Sequence, residues 1–217
     1  MSAGMITFPS REEWLTARNI VGGSDAACIV GMNPWKSNVE LWLEKTGQCK
    51  PDDISSNPYV SFGTKAEAPL RELFGLNYPH LLVEYTPNNL WVNERYPWAH
   101  CSLDGWLTDT KTGDKGVLEV KTTNVMSSRQ KEEWKDQIPM NYFCQVIHSM
   151  AVAEMDFAYV EALLRWEIDH DIYCQLRHYR IDRKDVETDI EILMEAEKKF
   201  AEDVKKRHKP ALILPSI

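Results

Sequence analysis

The chain has 217 residues, enough for one compact α/β domain with a real hydrophobic core. With 43% hydrophobic and 27% charged residues it is ordinary globular material, and its net charge of −8 argues against a protein that coats nucleic acid over its whole surface, while leaving room for a local basic groove. No stretch is apolar enough to span a membrane, the N-terminus lacks a signal peptide's apolar core, and the odd set of cysteines (Cys28, Cys49, Cys101, Cys144, Cys174) contains no C-x-x-C pair, which together point to free thiols in a reducing cytoplasm.

In chain order, Ser10-Arg11-Glu12-Glu13 is a capping box that opens a short helix through Arg18. Gly22-Gly23 frees the backbone for a tight turn, and Ser24-Asp25 is placed to cap a second short helix ending at Gly31. Such a turn offers free N–H groups to a phosphate, or is an ordinary helix start. Ser37-x-x-Glu40 caps a third helix stopped by Gly47, and Gln48 to Pro58 reads as a polar loop. Ser61 to Phe74 patterns as a helix with Ala66, Leu70, Leu73 and Phe74 on its apolar side. Glu67 lies among small residues there; a solvated position is the usual fate, yet Ala66 and Ala68 permit close approach to a neighbour. Leu81–Tyr85 and Leu90–Glu94 read as strands interrupted by Pro87-Asn88-Asn89.

Ser102 to Thr123 is the centre of the chain. Two arms, Ser102–Leu107 and Gly116–Thr122, flank the turn-rich TDTKTGDKG. Along the second arm Val117, Glu119 and Lys121 share one face, and Leu118 and Val120 the other. A paired first arm sets Asp104 beside Glu119 and Lys121. Two carboxylates next to one ammonium suit a hard divalent cation, though a salt-bridge ladder on an exposed strand has the same spacing. Ser127–Gln137 then reads as a charged helix and Met140–Met155 as an apolar helix carrying Tyr142 and Gln145. Gln145 either meets Glu119 and Lys121 or satisfies a backbone group in the core. Strands at Asp156–Leu164 and Tyr173–Ile181 precede a long helix from Arg183 to about Arg207, capped by Asp182. One domain, 1–217, with a single sheet flanked by helices on both sides is the expected organisation.

These residues carry a resemblance. SLDG followed by LEVK, with GGSDAA upstream, FGTKAE between and YFCQV after, resembles the phage lambda exonuclease family, also described as YqaJ-like viral recombinases, within the PD-(D/E)xK nuclease superfamily. The likeness covers roughly Trp14 to Met155; beyond Asp156 only a strand–strand–helix pattern is shared. It implies a restriction-endonuclease-like α/β core with a central mixed sheet, and a Mg²⁺-dependent 5′→3′ exonuclease, with Mn²⁺ able to substitute, that digests one strand of double-stranded DNA from its end and leaves a 3′ tail for recombination. It also implies a homotrimeric ring, a partner single-strand annealing protein, and residence in the cytoplasm of a bacterial host of a phage or prophage.

Carried over by residue, the resemblance makes Asp104 and Glu119 metal ligands, with the backbone carbonyl of Val120. Glu67 would help bind a second metal or its water, and Lys121 would orient the attacking water and offset charge. Gln145 would position Lys121, with Tyr142 near the substrate. Ser24 would hold the terminal phosphate, helped by Arg18. From the residues alone, Trp35 or Tyr142 could stack on an unpaired base. Two other classes share this core: a PD-(D/E)xK endonuclease, and a non-catalytic DNA-binding or assembly module.

Overall fold

A computed structural model describes residues 2–54 and 56–214. In chain order the elements are β1 (Ala3–Thr7), α1 (Arg11–Ala17), β2 (Val21–Gly22), α2 (Gly23–Ile29), α3 (Asn38–Lys45), α4 (Pro58–Asn77), β3 (Leu81–Glu84), β4 (Asn89–Asn93), β5 (Ala99–Cys101), β6 (Gly105–Asp109) and β7 (Lys115–Asn124). There follow α5 (Ser128–Glu133), α6 (Met140–Val152), β8 (Phe157–Ile168), β9 (Asp171–Asp182) and α7 (Arg183–Lys205). The fold is mixed α/β, but it holds two sheets where the sequence pattern suggests one. A five-stranded sheet runs β3-β6-β7-β8-β9, and a four-stranded sheet runs β1-β4-β5-β2. The two strands expected to lead together into the hairpin part company: β3 pairs with β6, and β4 with β1 and β5. The turn between them passes through Asn88, whose φ of 54° lies in the left-handed region that Asn tolerates well.

The large sheet is antiparallel except at its centre, where β7 runs parallel to β8 from Gly116↔Phe157 to Asn124↔Arg165. This central strand is buried on both faces, and alternation sorts its side chains. Val117 joins a core with Val146, Met150 and Ala151 of α6. Leu118 and Val120 join a second core with Leu70 and Phe74 of α4. Gly116 is required by packing: a Cβ there would fall 2.3 Å from the Phe157 ring. α4 starts at Pro58, three residues before the sequence pattern begins, because Asn57 caps it by accepting from the Tyr59 N–H and Pro58 takes the first-turn position that needs no donor.

Four other expectations are corrected. The charged helix after the hairpin is only Ser128–Glu133, and the apolar one ends at Val152. Asp182 sits at the start of α7, yet its carboxylate accepts from Arg180 instead of capping the helix. Ser24 does not cap α2 either; Gly22 occupies the cap position and its N–H donates to Asp25 Oδ2 at 2.9 Å. The polar loop at 48–58 holds up to Asn57, apart from Ser55, which lies outside the described residues. Among the described residues no helix is long and apolar enough to cross a membrane. All of the cysteines are free thiols.

Candidate active site

The hairpin pairing of β6 with β7 stops at Gly105↔Leu118, so β7 continues past the end of its neighbour. Asp104, one residue before β6, fills that step: its Oδ2 accepts the Val120 N–H at 2.9 Å. The N–H and C=O of a strand residue leave by the same edge. The Val120 carbonyl is therefore directed toward the Asp104 side, away from β8. Arg71, on α4, donates from Nε to the Asp104 carbonyl, and its guanidinium lies 3.7 Å over the Tyr85 ring. The aspartate is thus fixed at both its backbone and its carboxylate.

On the α6 face of β7, Lys121 Nζ lies 2.6 Å from Glu119 Oε1 and donates to Gln145 Oε1 at 3.0 Å. Gln145 Nε2 in turn donates to Glu119 Oε1 at 2.7 Å. The amide therefore belongs to this triad and not to a backbone group of the core. Tyr142, one turn earlier on α6, places its ring 5.0 Å from the Lys121 ammonium. Glu119 is 2% exposed, which rules out the exposed ladder. Its other oxygen, Oε2, is buried with no hydrogen-bond partner.

The electrostatics follow from that burial. Burial pushes the Asp104 carboxyl up, against the pull of Lys121, the Val120 N–H and Arg71. It pushes Glu119 up to about 7, opposed by Lys121 and reinforced by Asp104. Half-buried Glu67 is also raised to about 7, by burial and then by the charge of Asp104. Burial works against the charge on Lys121, but Glu119 and Asp104 outweigh it and raise its pKa. The ammonium is thus held protonated.

A divalent cation fits this donor set. Glu119 Oε2 is a buried acceptor without a donor, burial and then like charge raise the carboxyls of Glu119 and Glu67 so that a cation would relieve them, and all donors are oxygens. Among the described residues no three His, Cys, Asp or Glu side chains converge to enclose a metal on their own. A cation at Asp104 and Glu119 would lean on the Val120 carbonyl and on water, as Mg²⁺ commonly does.

The remaining sequence candidates are distributed around this centre. Arg18 is half-buried, with its guanidinium 4.2 Å over the Trp14 ring and the Asp25 carboxylate near enough to act on it. Ser24 is exposed in the first turn of α2. Arg11 links this region to the acidic centre, since its charge bears on both Arg18 and Glu67. Trp35, 74% exposed, lies apart, in a surface groove with Gly31, Leu212 and Leu214. Arg71 is the residue whose role sequence reasoning missed; its place four residues after Glu67 on one helix face was the available signal.

Residues 13–156 match the YqaJ-like viral recombinase domain, a stretch that contains Glu67, Asp104, Glu119, Lys121 and Gln145. The chain belongs to that family. It is 33% identical over 159 residues to the uncharacterized protein YqaJ of Bacillus subtilis (strain 168), a match covering 71% of this chain. The chain spans about half of that relative, 47% of its length. Its fold resembles the alkaline exonuclease LHK-Exo of Laribacter hongkongensis, with a TM-score of 0.61, 18% identity, and coverage of 90% of this chain and 95% of that one. A phage related exonuclease from Haemophilus somnus 129PT gives a TM-score of 0.53 at 12% identity, over 87% and 96% of the two chains. At these identities the likeness is one of fold, and the chemistry rests on the residues of this member of the family.

Proposed function

We propose that the protein is a Mg²⁺-dependent 5′→3′ exonuclease that digests one strand of linear double-stranded DNA and leaves a 3′ single-stranded tail for phage-type recombination. The observation that carries this reading is the buried Glu119, locked to Lys121 and Gln145 with one carboxylate oxygen left unpartnered, beside the half-buried Asp104 held on the Val120 N–H. The match to a viral recombinase domain and the exonuclease-like fold support it.

The divalent ion, Mg²⁺ with Mn²⁺ able to substitute, would be held by Asp104, Glu119 and the Val120 carbonyl, with Glu67 near a second ion or its water; it would lower the pKa of water and polarise the phosphate. Lys121 stays charged, orients the attacking water and offsets negative charge building on the phosphate oxygens. Gln145 holds that ammonium in place through both Lys121 and Glu119. Tyr142 closes the far side of Lys121 and presents its ring toward substrate. Ser24 and Arg18 would receive the terminal 5′-phosphate beside the acidic centre, and Trp35, remote from it, is left to contact unpaired DNA. A homotrimeric ring and a single-strand annealing partner belong to the same proposal, as does action in the bacterial cytoplasm.

The test is digestion of linear and covalently closed duplex DNA, with and without Mg²⁺, using strand-specific labels. We expect loss of the 5′-ended strand of the linear substrate only when Mg²⁺ is present. Cutting of the closed circle would replace this reading with an endonuclease, and no cutting of either with a binding module.

A further inference from the structure

Past the acidic centre, β7 and β8 run parallel to their carboxyl ends, where open α/β sheets commonly take ligands. A surface groove lies there, lined by Tyr59, Asn124, Met126, Arg165, Trp166 and Ile172. Two cations border it, and both rest on aromatic faces. The Arg165 guanidinium is 4.9 Å from the Phe62 ring centre, and Lys131 Nζ is 4.1 Å from that of Trp166.

Among the described residues neither has an acidic partner, and what distinguishes this pair among the chain's unpaired cations is that both border one groove. Some basic side chains elsewhere are matched: Lys36 with Glu44, Lys45 with Asp25, Arg180 with Asp182, Arg183 with Glu187. On α5 and just beyond it, Arg129 pairs with Glu133 and Lys135 with Glu132, while Lys131 reaches off the helix to Trp166. The one acidic residue on the groove, Glu167, lies 3.5 Å from the exposed His170 ring. On a chain of net charge −8, two cations against the single carboxylate of Glu167 leave this groove locally positive.

The groove is tied to the reacting centre by the strand that carries it. Lys121 and Asn124 are three residues apart on β7, about 10 Å at ~3.3 Å per residue. Measured along the axis of a duplex, that is the rise of about three base pairs at ~3.4 Å each. We propose that this groove holds the sugar–phosphate backbone of the DNA within about three nucleotides of the bond being cut, Arg165 and Lys131 each taking one phosphate. Cations held on rings keep their N–H donors outward, Arg in a planar fork that suits phosphate and Lys as a point charge. The proposal rests on the nuclease reading above.

The experiment measures duplex binding by fluorescence anisotropy over a series of salt concentrations, with Ca²⁺ present. Each lost phosphate contact should lower the slope of log K against log salt by about 1. Arg165→Ala and Lys131→Ala should each do so and weaken binding about tenfold, and the double variant should lower the slope by about 2. Arg165→Lys, which keeps the charge, should recover most of the slope. Lys184→Ala, an exposed cation on α7, serves as the control. In turnover, the groove variants should raise KM and spare kcat. Unchanged slopes, or an equal fall in Lys184→Ala, would overturn the groove while leaving cleavage and the nuclease reading intact. A wild-type protein that binds no DNA would overturn both.

Discussion

Asp104→Ala or Glu119→Ala takes away one of the two carboxylates flanking the Val120 backbone. Mg²⁺ binding followed by calorimetry should then be lost, and DNA digestion should fall by several powers of ten while circular dichroism shows the fold intact. Near wild-type digestion by either variant would remove that side chain from the centre. Lys121 is separable from the metal. Lys121→Ala should abolish cleavage and leave Mg²⁺ binding measurable, because an ammonium is no ligand. Lys121→Arg should also be poor, since a planar guanidinium cannot reproduce the contacts to Glu119 and Gln145. The alternation Val117, Glu119, Lys121 made the meeting of Glu119 and Lys121 on one face legible in the sequence. The depth of Glu119 was not legible, because burial depends on α6 covering the strand. Nor was the grip of Arg71 on the Asp104 backbone, which needs α4 laid across the hairpin.

At the scale of elements, α6 and α7 are joined by a pair the chemistry does not use. His148 Nδ1 lies 2.8 Å from Glu197 Oε1, and its Nε2 lies 2.8 Å from the His100 carbonyl. Both side chains are fully buried. Burial works against charge on His148, but Glu197, the His100 carbonyl and more distant Asp25 raise its pKa on balance. A folded pKa above the unfolded value near 6.5 gives stability that is fully present below about pH 6.5 and lost as pH rises through the folded value. Glu197→Gln should therefore be destabilised by about 3 kcal/mol at pH 6, with the gap to wild type shrinking at higher pH; urea titrations at pH 6 and pH 9 would read it. A constant gap would mean the pair is neutral. Elements as such were largely legible: the capping boxes, the hairpin and α6 all follow from local pattern. The split into two sheets was not. β2 and β5 contain only Val21–Gly22 and Ala99–Cys101, too short for any periodicity, and their pairing is set by distant partners.

For the molecule as a whole, recognition of an end must work together with cutting. Helix N–H groups and an arginine favour a dianionic terminal phosphate over an internal diester. Duplexes with 5′-phosphate ends should be digested faster than 5′-hydroxyl ones by one to two powers of ten, roughly 1.5–3 kcal/mol. Arg18→Ala or Ser24→Ala should narrow that difference, and equal wild-type rates on the two ends would sink the seat. The small sheet gives this pairing a metric. β2, which leads straight into the Gly-Gly-Ser turn, lies parallel to β5, and β5 leads through Ser102 and Leu103 to Asp104. On the proposed reading, seat and ligand would be the two marks of a ruler two strands wide, and the interval between them would set the size of the fragment released. A constant interval gives a constant product. Lengthening the Ser102–Leu103 crossing by one residue would recalibrate the ruler, and the fragments would change in length before they changed in number.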